Sequence, residues 1–466
     1  MRIQSIRPLV ALSLACASPL LGAISFQDVY FDVPANLITE AIPSPTDQLS
    51  DLAGYPDDAN RLTLVARLYE PDPNAHGAGP YPAVVFLHGS GGVWSSDLIS
   101  SGLSSQFRQW GELLAGMGYL ALFPDSFNPR GIPEDFRSRR PHHDPAIDDH
   151  ICSPNYERPK DVVAALAFLD AFADFDGRNV ALIGFSHGAQ TGINAVLDPS
   201  VDLGNYTVRF INDQEETILK SVPSPVRLPG NLPMPKVCAF FYGGGSHYNY
   251  HGSASTVAAG RYMFHRDTRV LMFHGTEDSL LGVDDPSAML PFTGKFYPIK
   301  QALSSTLQAA AVGVNDPLQH HFLLNGVEHS FDGEALAAEP DWNTQNESAD
   351  QKAKRLCREE VLKWLEACLR TRATLVIEEG PSSEQLTLRA GTRARLLYQW
   401  RASDDLVNWT DHLGEFNGTG GDATSDVMKH TPDRRFFQIL RRPVPPPLDA
   451  PENAGFFLDY AGFVTD

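Results

Sequence analysis

Apolar residues recur along this chain in two rhythms. Continuous apolar runs lie at 83–87, 119–123, 180–185, 237–242, 270–273 and 321–324, each bounded by turn-forming or polar residues. Short uninterrupted runs of this kind suit strands covered on both faces, the environment of a central parallel sheet. Leu62, Leu64, Ala66 and Leu68 alternate instead with less apolar neighbours, the pattern of a half-buried edge strand. Elsewhere the spacing turns helical. Val162, Leu166, Leu169 and Phe172 mark one helix face, 299–311 predicts a second helix, and Cys357, Val361, Trp364, Leu365 and Cys368 line a third. Strands alternating with helices predict an α/β domain, with a predominantly parallel sheet flanked by helices, over 61–371.

The texture changes on either side of that domain. Residues 1–23 read as an export signal: Arg2 and Arg7 give the positive start, 9–14 is apolar, and small residues at Ala15-Cys16-Ala17 and at Ala23 offer cleavage points. A lipid anchor on Cys16 is the weaker alternative, because Ser13 stands where a large aliphatic residue is expected. Residues 24–60 form a lead-in, and 198–235, rich in proline and of mixed polarity, reads as an insertion. From 372 to 442, short β-type runs separated by Gly-, Ser- and Asp-rich turns predict a small all-β, sandwich-like module. The run Arg442-Pro443-Val444-Pro445-Pro446-Pro447 opens a stiff linker and tail over 443–466.

Composition narrows the function. With 37 Lys and Arg against 57 Asp and Glu, the net charge of -20 argues against a general nucleic-acid binder. Beyond the signal no apolar run is long enough for a transmembrane helix. Cys152, Cys238, Cys357 and Cys368 remain after signal removal, and an oxidising compartment permits up to two disulfides among them. Cys357 and Cys368 cannot pair with each other, since eleven residues of helix separate them by about 16 Å. Buried free thiols are the competing expectation.

Candidate chemistry concentrates where strands end. Gly184-Phe185-Ser186-His187-Gly188 follows the apolar run at 180–183 and precedes a helix beginning near 189, the strand-turn-helix setting of a nucleophile elbow. The turn is so tight that side chains flanking the serine would clash, hence glycine at 184 and 188. A serine hydroxyl is a weak nucleophile without an oriented base. Asp278, in His274-Gly275-Thr276-Glu277-Asp278, is the candidate acid, and His329, in Gly326-Val327-Glu328-His329, the candidate base. Glu277, Asp284 and Asp285 are rival acids. His320 and His321 are rival bases, although they fall at the start of a predicted strand, the wrong end for the site. Leu87-His88-Gly89-Ser90-Gly91-Gly92 is a glycine-rich turn whose backbone amides would meet that of His187 around an oxyanion, with Ser90 and His187 as first choices and Gly89 as runner-up. Arg130 is a candidate for steering an acidic group or for a structural ion pair. His142, His143, Asp144, Asp148 and His150 lack a specific metal-binding spacing and read as a solvated loop.

From about 79 to 332 the chain resembles the dienelactone hydrolase-like branch of the α/β-hydrolases. The resemblance rests on the turn at 87–92, Pro124-Asp125-Ser126-Phe127-Asn128-Pro129-Arg130-Gly131, the 152–161 stretch with Arg158 and Asp161, the elbow, His274-Gly275-Thr276-Glu277-Asp278, and Val327-Glu328-His329-Ser330-Phe331-Asp332. It implies an α/β-hydrolase fold and hydrolysis with neither metal nor organic cofactor. The enzymes that name the branch use cysteine where this chain has Ser186, so a serine esterase acting on a small-molecule or polymeric ester is the implied activity. A secreted peptidase of the same fold is one alternative. A non-catalytic surface-binding protein is another, with Trp400 and Trp409 of the C-terminal module meeting carbohydrate or a cell surface unless they fill its core.

Overall fold

The structure is a computed structural model of the 466-residue chain. It describes residues 24–38, 45–132, 152–196, 226–243, 268–278, 319–333 and 347–369 apart from a few positions within them, and beyond these the strand backbones at 206–211, 217–222 and between 375 and 460. The stretch read as an export signal, the helix expected at 299–311, the loop at 142–150 and the rival acids Asp284 and Asp285 lie outside the described residues.

The main sheet is built from β1 (Ser25–Asp32), β2 (Thr63–Glu70), β3 (Tyr81–Leu87), β4 (Leu120–Asp125) and β5 (Phe175–Phe185). A separate hairpin, β6 (Tyr206–Ile211) and β7 (Thr217–Val222), occupies the segment read as an insertion. The sheet then continues through β8 (Val237–Phe241), β9 (Arg269–Gly275) and β10 (Gln319–Leu324). Its spatial order is β1-β2-β4-β3-β5-β8-β9-β10, parallel from β4 to β10 and antiparallel across β1, β2 and β4. Because β4 and β5 leave β3 on opposite sides, the crevice at the carboxyl ends of β3 and β5 is a topological switch point, where open α/β sheets place their sites.

Side chains alternate strictly across this sheet. On β3, Ala83, Val85 and Leu87 enter one core, packed under α2 (Pro159–Ala171) and α3 (His187–Ala195), while Val84 and Phe86 enter the other, under α1 (Ser105–Gly116) and α4 (Ala349–Leu369). Both cores need apolar cover, which is why the central strands read as unbroken apolar runs. α2 starts where its sequence says it should, with Pro159 at the first helical position and Asp161 at the positive end of the helix dipole.

Two expectations are corrected. β2 is neither half-buried nor at an edge: all but its last residue are buried, because β1, from the supposed lead-in, pairs with it over its whole length. The alternation at 62–68 reflects moderately polar residues that β1 and the helices nonetheless cover. In the segment read as a tail, a short strand joins the main sheet. Before it come β11 (Leu375–Glu379), β12 (Gln385–Gly391), β13 (Leu396–Ser403), β14 (Thr410–Asp411), β15 (Phe416–Asn417), β16 (Asp422–Met428) and β17 (Phe436–Pro443), which pair antiparallel in two small sheets. β18 (Phe457–Tyr460) then pairs antiparallel with β10. The side chains of Trp400 and Trp409 lie outside the described residues.

The four cysteines among the described residues, Cys152, Cys238, Cys357 and Cys368, are free thiols. Cys238 is the second residue of β8, Cys357 and Cys368 share α4, and burial pushes the Cys152 thiol up to about 12, so it carries no thiolate at neutral pH. Among the described residues no helix is long and apolar enough to cross a membrane.

Arg130 forms a structural ion pair. Its guanidinium donates to both carboxylate oxygens of Asp161, at 2.9 and 2.6 Å, and to the carbonyl of Ser126, with both side chains almost fully buried. Removing one partner of such a pair strands the other charge, at about 3–5 kcal/mol. Arg130→Met is therefore expected to lower the unfolding free energy, measured by denaturant titration, by that order. Arg130→Met combined with Asp161→Leu should recover most of the loss in the same unfolding experiment. Equal destabilisation of the single and double variants would contradict this account.

Candidate active site

The site is assembled from strand ends. β5 runs into α3 through Ser186, whose backbone has φ 49° and ψ -114°, a conformation L-residues rarely adopt. A Cβ on Gly188 would sit 2.0 Å from the carbonyl oxygen of Leu87, and one on Gly184 would sit 2.6 Å from that of Gly188. Both glycines are thus required by backbone approach, and α3 starts at His187, two residues before the expected helix.

The structure brings Ser186, His329 and Asp278 together. Nε2 of His329 is 3.1 Å from Oγ of Ser186, and Nδ1 is 2.7 Å from Oδ2 of Asp278. With Asp278 as a carboxylate, Nδ1 carries the proton and Nε2 presents its lone pair to the serine hydroxyl. Asp278 is buried, whereas Ser186 and His329 are partly exposed. The loops bearing the acid and the base are tied by backbone. Thr276 N–H donates to Leu324, Glu277 N–H donates to Val327, both at 2.9 Å, and Gly326 N–H donates to the Thr276 hydroxyl at 2.8 Å. Glu277, a rival acid, thus contributes its backbone to this seam. His320 and His321 lie in the first half of β10, well before its carboxyl end.

The turn after β3 lies against the elbow: a Cβ on Gly89 would fall 3.3 Å from Phe185 O and 3.4 Å from Ser186 Cβ. His88 fixes this turn. Ser126 N–H can only donate, so Nε2 of His88 accepts from it at 3.1 Å, and the proton on Nδ1 is donated to Gly89 O at 2.8 Å. The Gly89 carbonyl and the Ser90 amide belong to one planar trans peptide, so holding the oxygen on one side aims the Ser90 N–H to the other. The first amide of α3, that of His187, adds the positive end of the helix dipole beside Ser186.

Sequence reasoning missed two supports. The Tyr242 ring lies 4.7 Å from the His329 ring, and its hydroxyl donates to Asp332, which also accepts from Gln106. Burial raises the Asp332 carboxyl, and these two donors oppose that rise. Asp332 stood in a quoted motif, but nothing along the chain links it to Tyr242 or Gln106. The second support is Arg158, which stood in the quoted 152–161 stretch with no role assigned and whose Nη1 donates to Nδ1 of His187 at 2.5 Å. Among the described residues no group of three or more His, Cys, Asp or Glu side chains is placed to hold a metal ion.

No protein-family model and no curated protein matches the sequence. Among solved structures, the chain is similar to a thermophilic esterase from the Planctomycetes species Thermogutta terrifontis in its propionate-bound form, at 17% identity over 64% of this chain and 89% of that one, TM-score 0.35. It is similar to a dienelactone hydrolase-like promiscuous phosphotriesterase from metagenomic libraries, at 15% over 72% and 98%, TM-score 0.37. A putative dipeptidyl aminopeptidase IV from Bacteroides ovatus aligns at 14% over 74% of this chain and 36% of that one, TM-score 0.37.

On β9, four residues before Asp278, burial pushes His274 down to about 4 from its ordinary 6.5, and its Nε2 donates to Gly243 O at 3.1 Å. As pH falls between those values the unfolded chain takes up a proton that the folded chain refuses. The stabilisation is therefore complete above pH 6.5 and lost toward pH 4, about 3 kcal/mol in all. Denaturant unfolding of wild type and His274→Gln across that range should show the steeper acid loss in wild type. Parallel pH profiles would show that His274 does not carry the dependence.

Proposed function

We propose that this chain is an exported serine hydrolase of the α/β-hydrolase type that cleaves carboxylic esters through an acyl-enzyme on Ser186. The observation that carries the reading is the His329 imidazole, within hydrogen-bond reach of a serine on one nitrogen and a buried carboxylate on the other.

In this mechanism Oγ of Ser186 attacks the acyl carbon as its proton passes to Nε2 of His329. Asp278 holds the tautomer and stabilises the imidazolium. The oxyanion that forms is assigned to the amides of Ser90 and His187, backbone donors of the kind that stabilise such charge. Collapse breaks the ester C–O bond while Nε2 protonates the departing alcohol. Nε2 then takes a proton from water, whose oxygen attacks the acyl-enzyme, and the acid leaves as Ser186 regains its proton. The short stretch at 1–23, with its basic start, apolar centre and small-residue end, supports export.

Ser186→Ala should lower kcat on a short-chain aryl ester by about 10⁴-fold or more and abolish fluorophosphonate labelling. Equal turnover by both proteins would remove the nucleophile assignment. A second expectation concerns His88. His88→Ala frees the Gly89–Ser90 peptide to rotate, so kcat should fall by about ten- to a hundredfold with little change in KM. His88→Asn, which retains a donor, should recover part of it. A loss expressed entirely in KM would place His88 in ground-state binding instead.

A further inference from the structure

Among the described residues three non-glycine positions hold positive φ: Ser186 at 49°, Tyr242 at 39° and Ser330 at 60°. For a bulky residue such as tyrosine this backbone is an outlier, and it persists only where the surroundings enforce it. The nucleophile turn accounts for the first. The other two both adjoin His329. Ser330 follows it in the chain, and Tyr242, which follows β8, meets it in space, its own backbone held by N–H donation to Phe273 O at 2.7 Å.

A second cost falls at the same place. The Tyr242 hydroxyl and the Asp332 carboxylate are bonded to each other on side chains that are both buried. Three elements converge on this carboxylate: Tyr242 after β8, the Gln106 amide on α1, and α4 through the positive charge of Lys354, which opposes the rise that burial gives the carboxyl. Ser330 adds a side-chain hydrogen bond to the same tyrosine hydroxyl. A phenylalanine against a leucine would fill such a space without burying a charge. What the polar pair adds is direction.

The loop bearing His329 is fastened on both sides. Ahead of the histidine, Val327 O accepts from Glu277 N–H at 2.9 Å, and Glu328 N–H donates to Asp350 on α4 at 3.0 Å. After it, Gly333 N–H donates to Ser330 O at 2.8 Å, a bond within the loop, while Asp332 ties the loop to Tyr242 and Gln106. The tyrosine ring so held lies 4.7 Å from the imidazole, tilted by 57°.

We infer that Tyr242 and Asp332 are positioning residues for the reaction: the carboxylate fixes the tyrosine ring, and the ring braces the imidazole of His329 where it meets both Ser186 and Asp278. This rests on the ester-hydrolase reading for the chemistry, but the brace is defined by geometry alone. In each turnover the imidazole gains and loses a proton twice, and both partners must stay within reach throughout. A ring free to tilt spends part of its time facing neither, which lowers kcat and leaves binding of the ester unchanged.

The test uses Tyr242→Phe, which keeps the ring and removes the hydroxyl, Asp332→Leu, which removes the acceptor, and Asp332→Asn, which restores one. On a short-chain aryl ester, kcat should fall by about ten- to a hundredfold in Tyr242→Phe and Asp332→Leu with little change in KM, and Asp332→Asn should recover part of the loss. Proton NMR supplies a reading that needs no turnover and stays available if Asp332→Leu fails to fold. The Nδ1 proton of His329, held by a buried carboxylate, should give a far-downfield resonance that is present in wild type, absent in His329→Gln and broadened or shifted in Tyr242→Phe. Full kcat and an unaltered resonance in folded Tyr242→Phe overturn the brace and leave the esterase reading standing. A loss confined to KM also overturns it, by placing Tyr242 in substrate binding. A resonance altered in Tyr242→Phe, in a wild type that cleaves no ester, upholds the brace and sinks only the esterase reading.

Discussion

The structure depends on one tight passage of backbone, the turn from β5 into α3 that holds Ser186 at positive φ. The cost of that conformation, of order 1–3 kcal/mol, persists only where the surroundings over-determine it. Here they do. Glycine on either side lets the turn pack against itself and against the end of β3, and Ser186 N–H is held by the carbonyl of Phe241 on the neighbouring strand. The hydroxyl is thereby lifted above the carboxyl edge of the sheet, where loops from β3, β9 and β10 can reach it.

Behind this turn lies a polar layer that is buried yet closely bonded. His88 links the glycine-rich turn to Ser126, Arg130 links Ser126 to Asp161, and Asp125 gathers Trp94 and Asn128. A low-dielectric interior makes each of these bonds stronger and makes any unmet group expensive. Such a layer fixes peptide orientation more firmly than apolar packing, which has no direction. Arg158 and His187 depart from the layer's rule: Nε and Nη2 of Arg158, three of its five N–H donors, and Nε2 of His187 have no hydrogen-bond partner.

Much of this was legible along the chain. The central strands announced themselves as unbroken apolar runs, because both faces of each are covered, and Ser186, Asp278 and His329 were singled out by their order and by standing just past strand ends. β1 was missed because its exposed half offers no periodic apolar signal, and β18 because it is short and follows a proline-rich run. The misreading of β2 has the same origin: a strand's cover is supplied by its neighbours, and the neighbour was not recognised.

The sequence by itself determined the alternation of strands and helices, the glycine-flanked serine and the residue types available for proton transfer, since these follow from local periodicity and from backbone sterics within a few residues. Only the tertiary structure decided which acid meets which base, that Arg130 is consumed by Asp161, that Tyr242 lies beside His329, and that Arg158 is left with an open fork. Those are contacts between residues tens to hundreds of positions apart. Their formation is governed by strand order and by the competition of buried charges for partners, quantities that no local pattern encodes.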